Sequence, residues 1–235
     1  ETGLSVDNVT LPNVTFGYTD GSEAIINIAN IGAAELKITN VTVSDTDKFE
    51  INISSQPTIG IGATNTDFKV KAKTGLNAGN YTGTITVTDE NGKTYTATVT
   101  LKVEPEQLTG LGISGLDSTW VYGETKTPTA TGVDDLGADG YEIIYSKKDS
   151  SGNYANIGNK LPILVGEYKA TLSVKNPNYT ASEASVYFEI TPNNTEVKVK
   201  SFDDTFTYDG TEHTKNNYDV LWANNASPVT DNKLP

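Results

Sequence analysis

Apolar and polar positions alternate with period two along most of the chain, and one stretch of that pattern is written twice. Leu76, Gly79, Tyr81, Gly83, Ile85 and Val87 are matched by Ile163, Gly166, Tyr168, Ala170, Leu172 and Val174. Beyond each closing Val the match resumes, as Leu101, Val103, Pro105 and then Phe188, Ile190, Pro192, so the unit recurs at an offset of 87 residues. Alternation from the Tyr onward predicts a half-buried strand. A Gly two residues ahead of a Tyr at a strand entrance predicts a tyrosine corner, in which the hydroxyl ties back to nearby backbone in a Greek-key sandwich. An all-β chain of two tandem Greek-key β-sandwiches follows.

The first sandwich is expected over residues 4–104. Val14 and Phe16 open it, Ala24, Ile26 and Ile28 alternate as one strand, and Leu36 to Val43 reads as a strand or a pair of strands broken near Asn40. Pro57 to Thr66 reads as loop, and Asp89-Glu90-Asn91-Gly92 as the tight turn of the closing hairpin. The second is expected over 108–192, with Trp120 and Tyr122 near its start and a strong strand at Tyr141 to Tyr145. Glu104-Pro105-Glu106-Gln107 and Pro192-Asn193-Asn194 read as short linkers.

Residues 193–235 read as the incomplete start of a further repeat. Val197, Val199, Phe202, Phe206 and Tyr208 match Leu111, Ile113, Leu116, Trp120 and Tyr122 at an offset of 86 residues. Opening strands without a facing sheet are expected not to fold alone, and to pair with neighbouring strands instead.

Composition narrows the chemistry. The 235-residue chain carries a formal charge of −13, so no electrostatic footprint exists for nucleic acid or an anionic membrane surface. There is no Cys, which removes disulfides, thiolate metal sites and thiol nucleophiles. The absence of Met points to a processed or excised piece of a longer protein. No apolar run approaches the roughly 20 residues of a membrane span. The sole His is His213, in a polar motif, and a surface role is expected for it. Asp134, Asp135 and Asp139, and separately Asp45 and Asp47, could gather oxygen ligands for Ca²⁺, but neither has the spacing of a calcium loop, and solvated turns are expected. Trp120 and Tyr122 recur as Phe206 and Tyr208, which argues shared core packing over a sugar-stacking platform. Tyr154 and Tyr179 are expected in loops, and they are the ligand-binding candidates. No catalytic, cofactor-binding or metal residues are expected.

The first module, through Phe16-Gly17, Ile26 to Gly32, Leu36-Lys37-Ile38, Phe49 and Gly79 to Gly83, resembles the immunoglobulin-like ASPM/SPD-2/Hydin-type domain of bacterial surface proteins. The second, through Tyr122-Gly123, Gly166, Tyr168, Ala170, Asn178-Tyr179, Phe188 and Ile190, resembles the immunoglobulin-like MBG and YDG repeats. Tyr208-Asp209-Gly210 resembles the start of another YDG repeat. The resemblance implies tandem immunoglobulin-like sandwiches at an extracellular, bacterial cell-surface location, acting as non-catalytic structural and adhesive stalk modules. The partner expected is a host or cell-wall glycan or protein, with no nucleic acid, no membrane insertion and no cofactor. The alternatives are accessory modules of a secreted glycan-degrading enzyme, or an adhesin module that binds host glycan or protein.

Overall fold

The computed structural model describes residues 3–52, 55–137, 139–194, 196–201, 205–214 and 218–222. By contact the chain divides into unit 1, Glu1–Thr109 with Val174–Ser182, and unit 2, Gly110–Ser173 with Glu183–Pro235. Val174–Ser182 thus lies inside the second sequence repeat but belongs to unit 1.

Strands β1 (Leu4–Val6), β2 (Val9–Thr10), β3 (Val14–Thr15), β4 (Glu23–Ile25), β5 (Ile28–Asn30), β6 (Leu36–Val43) and β7 (Phe49–Asn52) come first. They are followed by β8 (Thr58–Ile59), β9 (Thr64–Asn65), β10 (Lys69–Ala72), β11 (Gly79–Asp89), β12 (Thr94–Glu104) and β13 (Glu106–Leu108). Next come β14 (Gly112–Ser114), β15 (Thr119–Val121), β16 (Thr129–Thr131), β17 (Tyr141–Lys148), β18 (Tyr154–Gly158) and β19 (Gly166–Val174). The last are β20 (Tyr179–Ala181), β21 (Ala184–Thr191), β22 (Val197–Ser201) and β23 (Tyr218–Trp222). Among the described residues the one helical segment is the 3-10 turn Asp134–Leu136.

In unit 1 one layer is the sheet β2-β12-β11-β6-β8, with β3 also on β12, and β4-β10-β7 and β1-β5-β9 form separate sheets. Inward residues of these strands make a single apolar core that includes Ile26, Ile28, Ile38, Phe49, Phe68, Ile85, Val87 and Val99. β2 and β3 run parallel to β12, while β10 and β11, consecutive in the chain, sit in different sheets. This arrangement, with the hairpin β11–β12 and a cross-layer passage before it, is an immunoglobulin-like Greek key.

The strand expected through Ala24, Ile26 and Ile28 is two strands. β4 pairs with β10, whereas β5 pairs with β1 and β9. The chain changes partners at Ile26 and Asn27, where Ile26 N–H donates to the Phe68 carbonyl at 2.9 Å. β6 is not broken at Asn40; a bulge absorbs the irregularity. Its register on β11 slips between Thr88 and Asp89, and the Thr39 hydroxyl satisfies both carbonyls there, at 3.1 and 3.0 Å. The segment 57–66 is not all loop, because β8 pairs with β6 and β9 with β5. Within it Ile59 is buried and Ile61 exposed.

The first expected linker is also ordered as strand: β13 follows Pro105 at once and runs parallel to β20. Pro105 removes only its own donor, so the residues after it remain free to pair.

Unit 2 has the sheet β15-β21-β19-β17-β18, with β14 and β16 paired separately. Its opening strand β15 again runs parallel to the last strand, β21. The core is smaller and aromatic. Trp120 and Tyr168 stack on Phe188 with ring centroids 4.7 and 5.4 Å away, and Tyr145 meets it edge-on at 6.3 Å. Ala170 and Ile190 complete the buried set, with Ile113, Leu116, Tyr122, Ile143 and Leu161 packed against it.

Within 193–235, β22 pairs antiparallel with β23. Phe206 and Tyr208 are exposed, whereas their counterparts Trp120 and Tyr122 are buried and half-buried. Phe202 lies outside the described residues.

Candidate functional site

The repeated Gly-x-Tyr stretch builds the same corner in each unit. Gly79 and Gly166 adopt φ of 155° and 150°, a conformation closed to side chains with a Cβ. Two residues on, the Tyr81 hydroxyl donates to the Asn77 carbonyl at 2.7 Å and the Tyr168 hydroxyl to the Leu164 carbonyl at 2.7 Å. Burial holds the Tyr168 and Tyr145 phenols above their ordinary pKa. Burial, and then the neighbouring Tyr81, does the same for Tyr18, whose hydroxyl donates to the Lys73 carbonyl.

Of the two ligand candidates, neither lies in a loop. Tyr179 is the first residue of β20, and its ring meets Phe16 edge-on at 5.3 Å. Just before it, the Asn178 side chain accepts from Ala78 N–H at 2.7 Å and donates to Asn77 Oδ1 at 3.0 Å. Tyr179 is therefore part of unit 1's packing. The loop expectation fails because β13 offers these residues a strand to pair with, and that partner is some 70 residues away in sequence.

Tyr154 is the first residue of β18, opposite Lys148 in the register. Its ring meets Tyr187 of β21 edge-on, centroids 5.4 Å apart. Lys169, opposite Tyr187 on β19, places Nζ 5.8 Å from the Tyr187 ring centroid and pairs with Glu183. The bond to Glu183 raises the Lys169 pKa, and Glu183 is lowered first by Lys169 and then by the Ser185 hydroxyl. Lys148 pairs with Glu167 beside them. The result is a Tyr ring on the surface, Tyr187, 57 % exposed, with the half-buried Tyr154 ring against it and two ion pairs beside them. Such a surface can stack against an apolar ring face and offer charged hydrogen-bonding groups at its rim. Tyr187 is not among the sequence candidates, although alternation with Val186, Phe188 and Ile190 turns it outward. An aromatic at a solvent-facing strand position is the signal that would have found it.

The other sequence candidates resolve individually. Trp120 is buried in the aromatic core. Asp45 is bonded to Lys48 at 2.5 Å, and Asp134 and Asp135 lie in the 3-10 turn. Among the described residues no group of three His, Asp or Glu could hold a metal ion, and no helix is long and apolar enough to cross a membrane. His213 is exposed, stacks on Phe206 at 4.7 Å, and presents Nε2 to Asp209 Oδ1 at 2.9 Å. The Thr211 hydroxyl lies 3.4 Å from that same nitrogen. A nucleophile relay needs hydroxyl and carboxylate on opposite ring nitrogens, so this turn is not one.

No protein-family model and no curated protein matches the chain. Solved structures with a likeness to it include mouse protocadherin PcdhgC3 EC1-3, with TM-score 0.38, 12 % identity, and coverage of 83 % of this chain and 69 % of that one. Murine CEACAM1b has TM-score 0.31 and 16 % identity, covering 81 % of this chain and 100 % of that one. The Vibrio cholerae VesB protease has TM-score 0.31 and 19 % identity; 43 % of this chain matches 32 % of that one.

Proposed function

We propose that the chain forms non-catalytic structural and adhesive stalk modules of a secreted or wall-attached bacterial surface protein: an ASPM/Hydin-type domain followed by MBG/YDG-type repeats. The observation that carries this reading is the duplicated corner, in which Gly79 and Gly166 share one unusual backbone conformation and Tyr81 and Tyr168 make one hydrogen bond. What the chain repeats is a packing device. Repetition of packing rather than of reactive groups is what a spacer requires. Support also comes from where the chemically versatile side chains lie: Trp120 in a core, Asp45 in an ion pair, His213 in a turn with the wrong ring nitrogen engaged. Metal-independent turnover of a glycoside, ester or peptide substrate by the purified chain would overturn the non-catalytic part.

A second reading, a glycan-binding adhesin module, is favoured by the exposed Tyr187, the half-buried Tyr154 against it and their flanking ion pairs. It expects saturable binding on a glycan array, lost in Tyr187→Ala and Tyr154→Ala. Binding should survive in Tyr179→Ala, because that ring is engaged with Phe16. Equal binding by all three variants would sink it.

A further inference from the structure

The aromatic ring and loop backbone of one receiving corner occur in both units; among the described residues the corner is filled in unit 1 and open in unit 2. The unit 1 corner is made of the Phe16 ring, the backbone at Asn77 and Ala78, and β13. It holds residues 176–181 of that unit. Asn178 bonds Ala78 N–H and the Asn77 side chain, and the Asn178 carbonyl accepts from Glu106 N–H at 2.9 Å. β20 then lies parallel to β13, and Tyr179 packs on Phe16.

Unit 2 repeats two parts of the receiver, the aromatic ring and the loop backbone. Tyr122 occupies the place of Phe16: each follows the short strand that runs parallel to the unit's last sheet strand. Each donates its N–H to that strand's final carbonyl, Phe16 to Glu104 at 2.8 Å and Tyr122 to Thr191 at 2.9 Å. A left-handed Gly comes next in both, Gly17 at φ 83° and Gly123 at φ 94°. Leu164 occupies the place of Asn77, since each offers its carbonyl to the corner Tyr.

The difference lies in what covers the loop. Leu76 packs against the unit 1 core, whereas its counterpart Ile163 is 73 % exposed, followed by Leu164 at 60 % and Val165 at 43 %. This loop is not slack. Tyr168 pins its backbone at Leu164, and Leu161 packs against the unit 2 core. Three consecutive apolar side chains held in water on an anchored backbone mark a surface made to be covered. The molecule's own unit 1 shows the kind of segment that covers such a corner.

We propose that Tyr122 with Ile163, Leu164 and Val165 forms a docking site for a loop of the Asn176–Tyr179 kind, presented by a further module of the second repeat type. The loop's aromatic residue stacks on Tyr122 as Tyr179 does on Phe16, and apolar contact with Leu164 replaces the Asn77–Asn178 bond. The site stands on the two corners alone and does not depend on the stalk reading.

The chain's lack of Cys makes single-Cys labelling a clean test. Leu164→Cys is placed in the parent chain, and in a chain with a second copy of residues 106–192 inserted between Pro192 and Asn193. Labelling by a thiol reagent should be fast in the parent and at least about tenfold slower in the lengthened chain, as for a site that opens only occasionally. Asn178→Ala with Tyr179→Ala, made in the inserted copy only, should restore the fast rate. Equal rates in the parent and lengthened chains overturn the proposal, as does slow labelling that the double substitution leaves unchanged. If the inserted copy fails to fold, the parent is titrated with a synthetic peptide of the Lys175–Ser182 sequence at millimolar concentration. Saturable shifts of the Tyr122, Leu164 and Val165 amide resonances then support the site, and unmoved resonances overturn it.

Discussion

The hydroxyl of Tyr168 donates to the carbonyl of Leu164 at 2.7 Å from within the unit 2 core, where the Tyr side chain is 2 % exposed. Tyr81 makes the same bond to Asn77 at 2.7 Å in a more open setting. Burial decides what each bond contributes, because water can replace a lost partner only where it can reach.

Tyr168→Phe should therefore destabilise unit 2 by about 1–3 kcal/mol, since the bond it loses is part-buried and made by a buried ring. Tyr81→Phe should cost less, since water reaches Asn77. Chemical denaturation of the two variants, followed by Trp fluorescence and by amide resonances of each unit, checks the order. A larger loss for Tyr81→Phe would mean that the corner's contribution is not set by burial.

Phe188 is the hub of the unit 2 core, touched by the rings of Trp120, Tyr168 and Tyr145. Phe188→Ala should cost about 3–5 kcal/mol and leave the amide protection of unit 1 unchanged. Loss of near-UV dichroism from Trp120 with retained exchange protection in β11 and β12 is the expected pair of observations.

Gly79→Ala and Gly166→Ala should each destabilise by about 1–3 kcal/mol, because both residues hold a backbone conformation reserved for Gly. A Cβ at Gly79 would meet nothing within 4 Å, and one at Gly166 would meet the Lys147 Cε at 3.1 Å, a flexible chain end that can move. Similar losses in denaturant titrations would assign the effect to the backbone. A loss confined to Gly166→Ala would assign it to contact.

Alkaline pH should destabilise both units. The phenols of Tyr18, Tyr145 and Tyr168 are all raised by burial, so the folded state keeps protons that the unfolded chain releases. Their contribution is complete below the ordinary Tyr pKa of about 10 and is lost as pH rises through the folded values. Melting temperature should fall from about pH 10 upward, while the tyrosinate absorbance of these residues appears only with unfolding. A melting temperature that stays flat across that range would refute the burial argument.

What was legible in the sequence is what short-range geometry writes there. A conformation only Gly adopts, a Tyr two residues later, and alternation to the closing Val fix the corner and the strand without reference to distant residues, and both copies formed as read. The turn at Asn91-Gly92 was legible for the same reason, with Gly92 at φ 77°. Shared core packing, expected from recurrence, holds at Trp120 but not at the repeated positions, since Phe206 and Tyr208 are exposed.

Long-range pairing was not. That Tyr179 lies in a strand depends on β13, far earlier in the chain, and that Tyr154 meets Tyr187 depends on how the sheet brings β18 and β21 together. Period-two alternation marks which residues face outward but carries no information about which strand lies opposite. The sequence by itself determined the all-β class, the two modules and the corner at the head of β11 and β19. Only the tertiary structure decided that Val174–Ser182 joins unit 1, that Tyr179 is packing while Tyr187 is surface, and that Ile163 is bare where Leu76 is covered. Local backbone preference is a property of neighbouring residues, whereas burial is a property of whatever the rest of the fold places against them.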